Sequence, residues 1–226
     1  MTPRIVALVP IRHHSERVPG KNYKPFAGRK LYQHIVSSLL DCPLISQVVI
    51  DTDSPVIMED VAQHFKEEVT LIERPEHLRA DSTPMNDVLL NDVLHVESDY
   101  YLQTHSTNPL LSSKTIGRSL QMFVENYPMH DSLFGVTRIQ NRLWDGLVRP
   151  INHNPNILLR TQDLPPIYME NSCLYIFTRN VLETKHNRIG DRPLLFEIDP
   201  VEAWDIDEDL DFRVAEFLYK DREGLL

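Results

Sequence analysis

At 226 residues with 42% hydrophobic content, the chain is long enough for one α/β domain with a sizeable core, and its composition is that of a soluble globular protein. No apolar run reaches membrane-spanning length and the charged, proline-containing start does not read as a secretory signal, so a cytoplasmic setting without a membrane partner is expected. The net charge of −10 offers no basic footprint for nucleic acid, and Cys42 and Cys173 are too few for a disulfide framework and lie outside metal-ligand spacing, which makes them reduced core thiols.

Ile5 to Val9 reads as a buried strand, and Pro10 then removes a backbone donor and ends the pairing. Leu31, Ile35 and Leu39 predict a helix within residues 30–41. Gln47 to Asp51 is the second strand, followed by a helix that Ser54 caps and Pro55 opens, with Ile57, Val61 and Phe65 as its stripe. Val69 to Ile72 is a third strand, Met85 to Val96 a helix and Tyr100 to Gln103 a strand. Ile116 to Tyr127 forms the next helix, before a strand near Ser132 to Thr137. Between Gln140 and Pro166 prolines, asparagines and a glycine break the pattern, predicting hairpins or an extended excursion. Cys173 to Phe177 and Leu194 to Ile198 return as strands, and Leu210 to Leu218 is a closing helix. Alternating strands and helices define βαβ units in a single domain, residues 1–226.

Charge is segregated along this frame. Residues 1–30 carry seven cations against Glu16, whereas residues 197–211 are strongly acidic. The loop after the first strand holds Arg12, Arg17 and Lys21, which can converge on phosphate oxygens, with Ser15, Gly20 and local amides completing a cradle. Asp205 and Asp207 are two apart, so an extended segment projects both to one face while Trp204 and Ile206 take the other. That pair suits a hard divalent cation such as Mg²⁺, although Asp207 also stands where it can cap the closing helix. Asp51 and Asp53 form a second Asp-x-Asp. The adjacent His13 and His14 make a poor metal pair and read as solvated loop residues. His105 reads as a structural hydrogen-bonding group, with a base as its alternative role. Ser15 has no visible partners for nucleophilic catalysis, and neither a GxGxxG nor a Walker loop is present.

The run Arg12, Ser15, Pro19, Lys21, Asn22 resembles the nucleotide loop of the acylneuraminate cytidylyltransferase family, which is related to the Kdo cytidylyltransferases. The resemblance continues through Asp51-Thr52-Asp53, Arg74-Pro75 with Leu78, Ala80 and Asp81, and Leu102-Gln103. It resumes at Gln162, Asn171-Ser172 with Leu174-Tyr175-Ile176, and Trp204-Asp205-Ile206-Asp207. Two departures stand out: the segment from Gln103 to Leu110 is two residues longer than the family pattern, and Ser172 replaces a glycine.

The resemblance implies a Rossmann-like nucleotidyltransferase fold, with a central mostly parallel sheet flanked by helices and residues 140–166 as a dimerisation or lid excursion. It also implies transfer of CMP from CTP to a hydroxyl of an acidic, nonulosonic-type sugar. Arg12, Lys21 and Asp207 would be catalytic. Arg12, Ser15, Lys21, Asn22, Arg74 and Asp81 would bind the nucleotide, Gln103, Arg160, Gln162 and Asn171 the acceptor, and Asp205 with Asp207 Mg²⁺. A homodimer is implied, in which the excursion of one subunit reaches the other's pocket. The alternatives are a cytidylyltransferase acting on Kdo or a phosphonate, a metal-dependent glycosyltransferase of the GT-A type built on Asp51 and Asp53, and a regulator that binds CTP without turnover.

Overall fold

A computed structural model describes residues 3–226. Strand β1 (Ile5–Ile11) is buried along its whole length, which explains its unbroken apolar sequence. After it the chain makes a short hairpin, β2 (Pro25–Phe26) and β3 (Arg29–Lys30), then α1 (Leu31–Leu40), β4 (Gln47–Thr52), α2 (Pro55–His64) and β5 (Val69–Glu73). Helix α3 (Met85–His95), β6 (Tyr100–Thr104), α4 (Ser113–Asn126) and β7 (Ser132–Ile139) follow. The excursion then leads into β8 (Ile167–Phe177), α5 (Arg179–Lys185), β9 (Pro193–Glu197) and α6 (Asp209–Arg222).

Seven strands form one sheet in the order β5-β4-β1-β6-β8-β7-β9. Only β8 runs against the others, so the sheet is mostly parallel, as expected. Side chains alternate along β1. Ile5, Ala7, Val9 and Ile11 pack with Ile35 and Leu39 of α1, Ile57 and Val61 of α2, and Ile116, Leu120 and Phe123 of α4. Val6 and Leu8 pack on the other face with Leu89 and Val93 of α3 and Leu182 of α5. A third cluster joins Phe26, Leu31, Leu110, Ile206, Phe212 and Ala215, seating α6 beside the hairpin.

The stop expected at Pro10 is one-sided. Pairing with β4 continues through Ile11↔Thr52, while pairing with β6 ends at Leu8↔Gln103. The chain therefore crosses to β4 on one side of β1 and to β6 on the other, and a crevice opens where the directions diverge. In open α/β sheets ligands bind at that place, outside the carboxyl ends of the strands.

The Ser54 cap forms as expected, its hydroxyl accepting from Ile57 N at 3.4 Å. Helix α5 and the β2–β3 hairpin were not expected. Strand β8 is six residues longer at its start than its apolar run, because Tyr168 to Glu170 are exposed yet still pair with β7. Its pairing shifts between Phe134 and Val136, opposite Ser172 at φ 58°. Gly135 is required there, since a Cβ would lie 2.7 Å from Asn171 Oδ1 and 2.8 Å from Ile198 Cδ1.

Candidate active site

A cavity of about 360 Å³ occupies the crevice at the ends of β1 and β6. Its wall includes Arg12, Ser15, Arg17, Lys21, Asn22 and Asp81, together with His105, Ser106 and Thr107. The loop after β1 is pinned on both sides. His13 N donates to Asp53 Oδ1 at 2.7 Å, and His13 Nδ1 lies 2.8 Å from Ser54 Oγ, with its ring stacked on Tyr23. His13 is thus an anchor rather than a solvated residue. Gly20 turns the chain at φ 65°, where a Cβ would strike the Tyr23 ring at 2.8 Å. Asn22 ties the loop to the segment after β6: its Nδ2 donates to Arg12 O and its Oδ1 accepts from Ser106 Oγ, each at 2.8 Å.

Lys21 is only 8% exposed, and its ammonium donates to the Ile206 carbonyl. Burial pushes its pKa down, while the charges of Asp205 and Asp207 pull it back up. Ile206 N in turn donates to Thr107 O at 3.0 Å, so the acidic segment is strapped to the cavity from two sides. Ile206 is buried in the third cluster; Asp207 turns toward the cationic loop, whereas Asp205 is itself withdrawn from water, so the expected alternation holds for only one of the two acids. Capping of α6 falls to Glu208 and Asp211, with Asp211 Oδ2 accepting from the backbone of Asp207 and Glu208. That leaves the Asp207 carboxylate to pair with Arg17 at 2.6 Å. Asp205 is pushed up by burial, against a hydrogen bond from Thr107, and its Oδ1 is sealed without a partner.

Across the mouth, Arg12 pairs with Asp81 at 2.8 Å. Both this pair and Arg17–Asp207 are about half exposed, and such pairs are worth only about 0–1 kcal/mol. An incoming anion and cation can therefore separate them at little cost.

Several expected contacts are placed elsewhere. Arg74 is 2% exposed and does not line the cavity; its Nε bonds Asp51 Oδ1 beneath the loop, which removes the surface its nucleotide contact needs. The same pairing engages Asp51 through Oδ1, and Asp53 Oδ1 accepts from His13 N, so both acids of the second Asp-x-Asp anchor the fold. Gln103 is 0% exposed, with its amide bonded to Arg188, Thr104 and His105, and so offers nothing to an acceptor directly. Asn171 bonds Thr137 Oγ1 and Cys173 N at the bulge. Arg160 and Gln162 stand on the exposed excursion, Arg160 forked onto Asp163, and neither lines the cavity of its own chain. Arg188 had no motif to flag it, because its partner Gln103 lies 85 residues earlier.

A larger groove of about 910 Å³ runs past Arg29, Asp41, Glu68, Glu202 and Arg222. It mixes charges of both signs and contains none of the motif residues. Among the described residues no helix is long and apolar enough to cross a membrane.

The sequence profile described as cytidylyltransferase matches residues 6–222. A post-translational flagellin modification protein B of Campylobacter coli is 25% identical over 96% of both chains. The CMP-N,N'-diacetyllegionaminic acid synthase of Legionella pneumophila is 28% identical over 95% of this chain and 96% of its own. N-acylneuraminate cytidylyltransferase A of Danio rerio is 27% identical over 94% of this chain, which spans 50% of that enzyme. In fold, the chain matches a CMP-2-keto-3-deoxy-manno-octonic acid synthetase complexed with CTP at a TM-score of 0.72 and 17% identity, over 97% and 99% of the two chains. With a profile spanning almost the whole sequence, the chain belongs to the cytidylyltransferase family and is a CTP-dependent nucleotidyltransferase.

Proposed function

We propose that this enzyme transfers CMP from CTP to a hydroxyl of an acidic sugar of the nonulosonic class and releases pyrophosphate. The observation that carries the reading is the bonding of the cavity-lining cations to the acidic segment beside the cavity, Lys21 to the Ile206 carbonyl and Arg17 to Asp207; Asp205 and Asp207 adjoin the cavity without forming its wall. The cavity lies within the size range of about 300–1,000 Å³ usual for small-ligand sites. The names of the relatives favour sialic, legionaminic and pseudaminic acids as the acceptor class.

Arg12, Ser15 and Lys21 hold the triphosphate in this reading, with Asp81 releasing Arg12 as the anion enters. The sugar oxygen attacks the α-phosphorus, the bond to the bridging oxygen of the β-phosphate breaks, and pyrophosphate leaves with the electron pair. The hydroxyl proton passes to water at the cavity mouth. Lys21, desolvated and fixed, neutralises charge on the reacting phosphate without reorganising.

Asp205 and Asp207 are suited to a divalent cation. The sealed, unpartnered Asp205 Oδ1 is an oxygen in need of one, and Mg²⁺ is commonly held by one or two carboxylates plus substrate phosphates. When bound there, Mg²⁺ would supply charge neutralisation for the phosphates.

The excursion supports a homodimer as the working form. It is held largely by side-chain bonds to its own backbone, as from Asn152 and Asp145, and leaves Leu147, Val148, Ile157 and Leu158 in solvent, Leu158 at 89%. In a dimer, Arg160 and Gln162 would reach the partner's cavity. The two buried thiols fit a reducing, cytoplasmic setting.

The test is pyrophosphate release with CTP and Mg²⁺ against nonulosonic acids, Kdo and phosphonates. Turnover with a nonulosonic acid supports the reading; turnover with Kdo or a phosphonate alone replaces its acceptor. Sedimentation at assay concentration tests the dimer, and a fully active monomer would remove it.

A further inference from the structure

The amide of Gln103 has a single admissible orientation. Its Oε1 accepts from Arg188 Nη1 at 2.6 Å, and a guanidinium offers only donors. Its Nε2 donates to the Thr104 carbonyl at 3.1 Å, an atom that only accepts. Both ends therefore lock it the same way. Arg188 is itself fixed, lying 3.6 Å over the ring of Tyr175, whose hydroxyl donates to Glu170.

The locked amide dictates the state of the next ring. Gln103 Nε2 lies 3.0 Å from His105 Nε2, and since an amide nitrogen cannot accept, the imidazole must present its lone pair there. A neutral His105 then carries its proton on Nδ1, which has no protein partner and is not among the sealed polar atoms. Burial first, then the cations Arg188 and Lys21, hold the His105 pKa down to about 3, so the neutral ring prevails. His105 lines the cavity on the β6 side, beside Ser106 and Thr107.

We propose that His105 is a fixed, uncharged Nδ1–H donor that reads an oxygen of the acidic sugar, and that Gln103 and Arg188 are the positioning residues that set its tautomer. The sugar follows from the division of labour: Arg12, Arg17 and Lys21 supply charge for the polyphosphate, whereas this wall supplies a neutral directional donor. The ligand half rests on the function proposed above; the position of the proton does not. The same bonds remove His105 as a general base, because its one lone pair is engaged by Gln103.

Two-bond ¹H–¹⁵N correlation spectra of histidine-labelled protein read the tautomer directly, with His105 assigned by its loss in H105N. The expected result is a proton on Nδ1 that stays there between about pH 5 and 8. In Q103E the carboxylate accepts from the ring and moves the proton to Nε2. A wild-type proton on Nε2, or an imidazolium at neutral pH, overturns the proposal whether or not any variant folds.

Kinetics test the ligand. H105N keeps an amide donor near the Nδ1 position and should hold the acceptor KM within about threefold, whereas H105L should raise it about tenfold or more with the CTP KM unchanged. Equal damage in both variants, or a loss confined to the CTP KM, overturns the sugar assignment. An enzyme that turns over no acidic sugar yet shows the Nδ1–H ring overturns the function proposed above and the ligand half with it, leaving the tautomer in place.

Discussion

The Lys21 ammonium and the Ile206 carbonyl are hydrogen-bonded across 185 residues of sequence. With the Arg17–Asp207 and Lys24–Asp209 pairs, this bond brings the two oppositely charged segments of the chain together, because the residues on either side of Ile206 are Asp205 and Asp207. It also leaves Lys21 in a costly place, since an ammonium largely withdrawn from water is stabilised there by that bond and by the acids it faces.

Lys21→Met should therefore separate function from stability. The Lys21 pKa is lowered by burial, so the folded protein binds that proton less tightly than the unfolded chain, and the residue subtracts stability at neutral pH. An apolar side chain of similar volume is expected to leave the melting temperature unchanged or higher. Pyrophosphate release should fall on the order of 10²–10³-fold. Retained turnover would remove Lys21 from the chemistry.

Asp207→Asn and Asp211→Ala should behave in opposite ways although they are four residues apart. Asp207 makes one half-exposed ion pair, so its loss should change stability by no more than about 1 kcal/mol while lowering turnover on the order of 10²-fold or more. Asp211 completes the cap of α6, and its loss should cost about 1 kcal/mol in urea unfolding with turnover largely kept. Equal kinetic effects of the two would show that the acidic segment matters only as structure.

The legible part of the molecule is the part written locally. An apolar run at β1 and a Ser-Pro start at α2 each carry their structure within a few residues. The cations of the Arg12 to Asn22 loop cluster in sequence, and the structure places a cavity against that loop. What was hidden depends on distant partners: Gln103 reads as an acceptor contact until Arg188 is seen to occupy it, and Arg74 as a nucleotide contact until Asp51 is seen to hold it. The first half of β8 was hidden for another reason. Its exposed side chains have no apolar pattern, and only backbone pairing to β7 makes it a strand. Helix α5 is seven residues long, too short for periodicity, though Thr178 caps it by accepting from Val181 N.

Acid stability should report His34. This ring is 2% exposed, with Nε2 donating to Phe26 O at 2.9 Å, and burial holds its pKa down to about 4 from 6.5. The unfolded chain takes up the proton first as pH falls, so stability is full above about pH 6.5 and declines until about pH 4, by roughly 3 kcal/mol. His34→Gln, which keeps a donor toward Phe26 O, should flatten denaturation midpoints across that window by about one proton. An unchanged slope would mean that the ring is charged in the native state.

The buried acids Asp51 and Asp92 call for the opposite pH dependence. Their Oδ2 atoms are both sealed without a hydrogen-bond partner, and Arg74 engages Asp51 through Oδ1. Burial, reinforced by the charge of Asp51, pushes Asp92 up to about 8, so at neutral pH it keeps a proton that it can share with Asp51. Unfolding releases that proton above about pH 4, and this contribution to stability is lost as pH rises through about 8. Asp92→Asn mimics the protonated acid and should raise the melting temperature at about pH 8 to 9, by on the order of 1 kcal/mol or more, with little effect near pH 4. Asp51→Asn instead strips Arg74 of its buried partner and should cost about 3–5 kcal/mol. Melting curves of both variants across this range decide the matter: a destabilised Asp92→Asn at alkaline pH would show that Asp92 is ionised in the folded protein and that Arg74 neutralises both acids.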